Sequence, residues 1–181
     1  MKNIFITCSV LFFLNSNLFA QEIFVKATDN TGTLIPGESV VSTHPNEIAA
    51  LNFGQESSPC PSTTPGCGIV TGNFVFNMII NKSINTFRRL MYLNLHLNTV
   101  DIVFRKTGPT PMEYYKIHLE NVIVTNVHDI SDATAGSANT FQISLDPQKF
   151  HWTYIPQLST GALGTPIKFG YDKLTNTEFI F

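Results

Sequence analysis

Alternation of apolar and polar residues with a period of two is the feature that most constrains the fold of this chain. Residues 100–105 (VDIVFR) and 115–120 (YKIHLE) place large apolar side chains at every second position. Successive side chains of a β-strand point to opposite faces, so each segment buries one face and exposes the other. The same reasoning predicts further strands at 23–28, 47–53, 73–80, 121–127 (through a bulge), 141–145, 150–154 and 167–171.

One segment departs from this period and predicts a helix. Residues 83–93 (SINTFRRLMYL) begin with Ser83, a good N-cap residue. Arg88 and Arg89 lie on or beside the polar face, where they could bind an anion or form a solvated helix surface. The apolar residues at helical spacing are Ile84, Phe87, Leu90 and Met91.

Turn residues separate these elements. Residues 55–72 are rich in Ser, Pro, Thr and Gly and predict a long loop, and Asp146-Pro147-Gln148 predicts a tight hairpin turn. One amphipathic helix against a many-stranded antiparallel sheet, whose edges must be hidden, indicates a small barrel or sandwich. The chain is therefore predicted to be mainly β and to form one domain, 21–181.

The first twenty residues have the features of a secretory signal peptide. A short positive start at Lys2 precedes the apolar run IFITCSVLFFL, which is too short to span a bilayer. Ala20 offers a small residue before Gln21, so cleavage is predicted between these two residues. A buried first strand or a retained anchor is the alternative. With the leader removed, we expect a periplasmic or extracellular bacterial protein with no membrane segment.

Cleavage would leave two cysteines, Cys60 and Cys67, in the sequence CPSTTPGC. Two prolines and a glycine bend this loop, and nearby cysteines normally pair in an oxidising compartment. Two free thiols are the main alternative. A metal site lacks both a CxxC spacing and a nearby histidine, since His44 is distant in sequence.

Composition narrows the possible functions. The chain has 11 Lys+Arg against 13 Asp+Glu and no basic run, which argues against a nucleic-acid partner or an anionic membrane surface. No GxSxG, HExxH, Gly-rich phosphate loop or CxxC is present, and the five histidines are scattered. His118 and His151 fall on the polar side of their strands and are predicted to be solvated. We therefore expect no catalysis, cofactor or resident metal, and a function based on contacts with other proteins.

A series of motifs resembles the hemolysin-coregulated protein family, whose members form the inner tube of the bacterial type VI secretion machine. EYYKIHLENVIVTNV (113–127) is similar to the family's signature strand pair, and 150–176 resembles its C-terminal half. The segments IFVK (23–26), GES (37–39), HPNEIAALNF (44–53) and VFRK (103–106) resemble the family in the same order. The motif residues carried over for fold and assembly are Glu113, Tyr114, Tyr115, Lys116, Trp152, Tyr154, Gly164, Phe169 and Gly170.

The resemblance implies a compact β-barrel of two antiparallel sheets with one amphipathic helix packed on its side. It also implies a homo-oligomer, with six subunits in a ring and rings stacked into a tube that carries or shelters secreted effectors and works with other secretion-machine components. The chain departs from the family in its leader, in the cysteine pair within 55–72, and in Gly54 and Tyr171, where aromatic residues and Trp are common. An exported binding or effector module that keeps the barrel without a working tube is the alternative function.

Overall fold

The computed structural model describes residues 21–59, 69–108, 110–131 and 138–181. Within these ranges the chain forms nine strands and one helix, which confirms the mainly β class. In chain order the elements are β1 (Gln21–Asp29), β2 (Leu34–Ile35), β3 (Ile48–Pro59), β4 (Ile69–Ile79), α1 (Ile84–Tyr92), β5 (His96–Lys106), β6 (Met112–Ile130), β7 (Thr140–Tyr154), β8 (Ile167–Asp172) and β9 (Thr177–Phe179).

The strands form one continuous antiparallel sheet in the order β4-β3-β1-β5-β6-β7-β8-β9, with β2 paired to β1. β4 also pairs with β7, from Phe74 opposite Leu145 to Ile79 opposite Thr140. The pairing of β4 with β7 closes the sheet on itself. The closed part consists of β4, β3, β1, β5, β6 and β7, and β8 and β9 extend the sheet beyond β7. The resemblance implied two antiparallel sheets, but the structure has a single sheet. The reason is that β6 and β7, at 19 and 15 residues, are long enough to run through both halves of the closed sheet.

The core lies inside this closed set of strands, and the helix contributes to it. In the predicted strand 141–145, the alternate residues Phe141, Ile143 and Leu145 are all buried. The helix α1 buries Phe87, whose ring meets that of Phe76 from β4 edge to face at 6.2 Å. The remaining buried residues of the helix are Ile84 and Leu90.

Polar contacts form at the N-terminal end of the helix and on its polar side. Ser83 occupies the N-cap position, but its hydroxyl donates to Asn81 Oδ1 at 2.6 Å and makes no capping bond to the helix. Arg88 donates from Nη2 to both carboxylate oxygens of Asp129, at 2.7 and 2.6 Å, and lies over the ring of Phe141. Arg88 is therefore paired with a carboxylate, and the anion site considered for it is not formed. In the described residues no helix is long and apolar enough to cross a membrane.

The predicted hairpin turn at Asp146-Pro147-Gln148 is wrong, because these residues continue strand β7. β6 accompanies them, and the pairing steps from Glu120–Lys149 to Val122–Pro147. At the skipped position Asn121 has a φ of 50° and its side-chain amide donates to Gln148 at 2.6 Å. The register is kept across this position, and Pro147 itself has no N–H to donate to the ladder. The bulge predicted within 121–127 is confirmed by a register shift between Val124 and Asn126.

The structure differs from the prediction at two other places. The predicted loop 55–72 is partly strand, since β3 runs to Pro59 and β4 begins at Ile69, with those two residues paired. The chain also makes a further strand, β9, after the turn that follows β8. Both errors have the same cause: polar residues form strands here because a neighbouring strand supplies their backbone partners.

Candidate functional site

The aromatic motif residues of the last two long strands lie together on one face. Trp152 is opposite Phe169, and Tyr154 is opposite Ile167. The rings of Trp152 and Phe169 stack with centroids 5.6 Å apart and planes 17° apart. Because residues two apart in a strand share a face, these four side chains form one block, which we call the β7–β8 apolar face.

The β7–β8 apolar face extends the core into solvent. Trp152 contacts Phe150 at 5.0 Å and Phe74 at 6.2 Å between centroids, and both of these phenylalanines are buried. Moving outward along the strands, Tyr154 and Phe169 are exposed, and Ile167 retains 64% of its accessible surface. A cluster of exposed apolar residues that continues a buried one is typical of a surface that contacts another protein.

The loop between β7 and β8 adds further apolar surface beside this face. Gly164 donates its N–H to the Pro156 oxygen at 2.7 Å, and a Cβ at Gly164 would lie 3.0 Å from Pro156 Cγ. The motif glycine thus allows the loop to fold tightly over the proline. Leu158 and Leu163 are exposed in this loop, and Leu163 forms an isolated bridge with Gln157.

The EYYK motif at the start of β6 places its two tyrosines on opposite faces. Tyr115 is opposite Tyr154 and contacts Phe104 at 5.2 Å between ring centroids, so it joins the aromatic core. Tyr114 packs under the Lys106 ammonium at 5.2 Å. Burial raises the pKa of both tyrosines, which keeps their hydroxyls protonated. Both tyrosines thus take part in packing at the start of β6, Tyr115 against Phe104 and Tyr114 against Lys106.

Glu113 of the same motif contacts a buried histidine, His44, and Lys116 in turn contacts Glu113. His44 is 4% exposed and stacks on Phe24 with centroids 4.2 Å apart. Its Nδ1 lies 2.9 Å from Glu47 and its Nε2 lies 3.3 Å from Glu113. Lys116 approaches the other oxygen of Glu113 at 2.6 Å. Although burial opposes ionisation of Glu113, hydrogen bonding and attraction from Lys116, together with His44, hold its pKa below the ordinary value.

His44 was not assigned a role from sequence, yet it connects three parts of the fold. Its ring joins β1 through Phe24, the following turn through Glu47 and β6 through Glu113. The spacing of His44 and Glu47 within HPNE was the available signal, because residues three apart in a turn can meet. The arrangement locks the turn before β3 onto β6.

The prediction that His118 and His151 are simply solvated is wrong. The two residues are opposite each other in β6 and β7, and their rings stack at 4.8 Å. Both are partly buried. In the described part of the chain, no group of three or more His, Cys, Asp or Glu side chains is arranged to hold a metal ion.

Some predicted residues lie outside the described ranges. These are Cys60, Cys67 and Ala20. Gln21, on the other side of the proposed cleavage, is the first residue of β1 and pairs with Lys106. The last motif residue, Gly170, lies in β8 beneath Phe179 of β9.

Comparison with known proteins identifies the family. Residues 24–154 match the family described as type VI secretion system effector, Hcp. Among solved structures, Hcp1 from Salmonella typhimurium is 25% identical, with a TM-score of 0.75 over 88% of this chain and 99% of that one. A type VI secretion system effector from Yersinia pestis is 23% identical, with a TM-score of 0.66 over 83% and 98% of the two chains.

A third structure, a mutant form of the Hcp1 protein from the E. coli EAEC 042 pathovar, is 18% identical, with a TM-score of 0.68 over 84% of this chain and 99% of that one. At this lower identity the likeness supports the fold alone. No curated protein sequence matches the chain. The family match spans most of the chain and confirms the resemblance found in its motifs, so the chain belongs to the Hcp family of type VI secretion system effectors.

Proposed function

We propose that this protein is a tube subunit of a type VI secretion system. In this proposal its copies assemble as hexameric rings that stack, and the rings carry or shelter exported effectors. The observation that carries the proposal is the β7–β8 apolar face, which leaves Tyr154, Ile167 and Phe169 in solvent on a single chain. Burial of such a face against a neighbouring copy would be favourable in proportion to the apolar area removed from water.

Composition supports the same proposal. Only 13% of the residues are charged, about half the usual share of roughly 25% in soluble domains. The cores of subunit interfaces are depleted in charge and enriched in aromatic residues, as this face is. A ring closes identical contacts between neighbours, so one apolar face on each subunit can be covered at every junction.

The test is the native mass and negative-stain electron microscopy of the chain from Gln21, purified without reductant. We expect six-membered rings for the unchanged protein. Ile167→Lys should release subunits, because a charge would be buried at the junction. Val40→Lys is the matched control, since Val40 is 96% exposed and lies outside the β7–β8 apolar face.

Rings that survive Ile167→Lys but not Val40→Lys would place the junction elsewhere. An unchanged protein that stays monomeric at high concentration would contradict the tube proposal. That result would favour the alternative of an exported binding module that keeps the barrel.

We also propose that the chain is exported after cleavage between Ala20 and Gln21. Gln21 pairs with Lys106, so this cleavage would leave all of the described strand Gln21–Asp29 in place. The N-terminal sequence of the protein recovered from the periplasm or the medium tests this. A protein that starts at Gln21 supports export, whereas an uncut leader in the cytoplasm contradicts it.

Finally, we propose a disulfide between Cys60 and Cys67. Pro59 and Ile69 are directly paired in β3 and β4, so the ends of the segment that contains both cysteines are held at strand-pair distance. Mass spectrometry of the exported protein should show a two-dalton gain on reduction and one linked peptide. Alkylation of both thiols without reduction would contradict the bond.

A further inference from the structure

One line of residues crosses five strands on the outer surface of the sheet. Asp101 of β5 is opposite His118 of β6, His118 is opposite His151 of β7, and His151 is opposite Gly170 of β8. Gly170 is in turn opposite Phe179 of β9. The line thus runs from a carboxylate through two imidazoles to an aromatic residue of the outermost strand.

The segment Thr177–Phe181 folds back over the second imidazole. The ring of Phe181 stacks on His151 with centroids 3.6 Å apart and planes 20° apart, and Phe179 meets the same ring edge to face at 6.3 Å. Gly170 permits this approach, because a Cβ there would lie 2.9 Å from the ring and from the backbone oxygen of Phe179. Lys168 donates to the Phe181 oxygen at 3.0 Å. His151 is therefore enclosed between His118 and the segment.

The two imidazoles have opposite surroundings. His118 Nδ1 lies 2.5 Å from Asp101, and its Nε2 lies 3.8 Å from Glu120. His151 Nδ1 is buried, and no atom of the described residues makes a hydrogen bond to it. A proton on that nitrogen would create a buried N–H donor without an acceptor, which is costly. The geometry thus favours a charged His118 beside a neutral His151.

The charges around His151 strengthen this difference. Hydrogen bonding to Asp101 raises the pKa of His118, whereas burial and the neighbouring His118 lower the pKa of His151. Lys168 of β8 lowers the His151 pKa further, and Glu120 and Asp101 oppose the shift. The other charged or titratable side chains that line the same surface groove are Lys26, His44, Glu47 and Lys116.

We propose that Thr177–Phe181 is a pH-sensitive latch, closed over His151 while that imidazole is neutral and released when it takes a proton beside the charged His118. Closure limits the access of water to His151, which strengthens the repulsion between the two imidazolium groups. Release separates β9 from β8 and frees the backbone edge of β8, to which another strand could pair. This inference goes beyond the proposed tube function and does not rest on it.

The direction of the pH effect follows from linkage. Burial, to which the closed latch contributes, lowers the pKa of His151 below its ordinary value of 6.5, so the open form binds the proton more tightly. Closure is fully favourable above about pH 6.5. The preference for the closed form weakens as the pH falls below about 6.5 and through the lower pKa that His151 has in the closed form.

Hydrogen exchange of the backbone amides in β8 and β9 tests the latch, with native mass recorded at each pH to detect any change of assembly. Between about pH 7.5 and about pH 5, after correction for intrinsic rates, protection of β9 should fall roughly 5-fold or more, the lower end of measured couplings. His151→Gln should remove this dependence. His96→Gln, at an exposed histidine in β5, is the matched control and should keep it.

Reciprocal linkage gives a second test that does not require altering His151. Phe181→Ala opens the cover, so NMR titration should show the pKa of His151 rising toward 6.5. An unchanged His151 pKa in this variant would overturn the latch. So would a loss of β9 protection at low pH that is equal in the unchanged protein and in His151→Gln.

Discussion

The helix α1 offers a direct test of what attaches it to the barrel. It has only nine residues, and an isolated helix of this length is unstable in water, so tertiary packing must hold it. Phe87 is 0% exposed, whereas Tyr92 in the same helix is 80% exposed. Replacing either aromatic residue by Ala raises helix propensity by a similar ~0.5 kcal/mol. The pair of variants therefore isolates the contribution of burial.

Phe87→Ala removes a buried ring and its edge-to-face contact with Phe76. Such truncations cost about 3–5 kcal/mol, and the gain in propensity of ~0.5 kcal/mol leaves a net loss of about 2.5–4.5 kcal/mol. This is a large part of a typical domain stability of roughly 5–15 kcal/mol. Tyr92→Ala should change the free energy of unfolding by no more than about 0.5 kcal/mol.

Urea unfolding at one fixed protein concentration measures both losses, because assembly contributes to stability by mass action. With a slope of about 2 kcal/mol per molar urea, the Phe87→Ala midpoint should fall by roughly 1.2–2.3 M and the Tyr92→Ala midpoint should stay within about 0.3 M. Equal losses in the two variants would refute the assignment of the buried face. A changed slope would mean that the variant helix had already separated from the barrel.

Two further predictions concern motif residues. The pKa of Glu113 is lowered in the folded protein, so its contribution to stability is present above about pH 4.5 and is lost as the pH falls through the lowered value. The urea midpoints of Glu113→Gln and the unchanged protein should therefore differ at neutral pH and converge in acid, and a constant difference would contradict this. Gly170→Ala should displace β9, because the new Cβ would meet Phe179, and the nuclear Overhauser effects between β8 and β9 should weaken. Gly54→Ala is the matched control, since a Cβ at Gly54 meets nothing within 4 Å, and an equal weakening in both variants would contradict the steric reason.

Much of the fold could be predicted from the sequence, because each strand with one buried face shows that face directly in its period. Residues 100–105 and 115–120 lie in β5 and β6 as predicted, and the helix falls within one residue of its predicted ends. The errors occur where a local signal competes with a distant partner. Asp-Pro-Gln is a good turn sequence, but β6 runs beside it and pairs with β7 on both sides of Pro147.

The candidate sites show the same division between local and distant information. The resemblance indicated Trp152, Tyr154 and Phe169, but only the structure shows that Trp152 stacks on Phe169. The period placed His118 and His151 correctly on the outer surface of the sheet. It could not show that Phe181, 30 positions after His151 in the sequence, folds back over that surface.

A period of two reports which side of a strand faces the core, and it contains no information about what covers the other side. Among the described residues, the turn containing His44 and the segment Thr177–Phe181 both cover part of the outer side. In both places a histidine lies between a carboxylate or imidazole and an aromatic ring. A histidine in an alternating strand is therefore a poor indicator of solvent exposure until the path of the following segment is known, because its ring suits a polar surface and a stacked contact equally well.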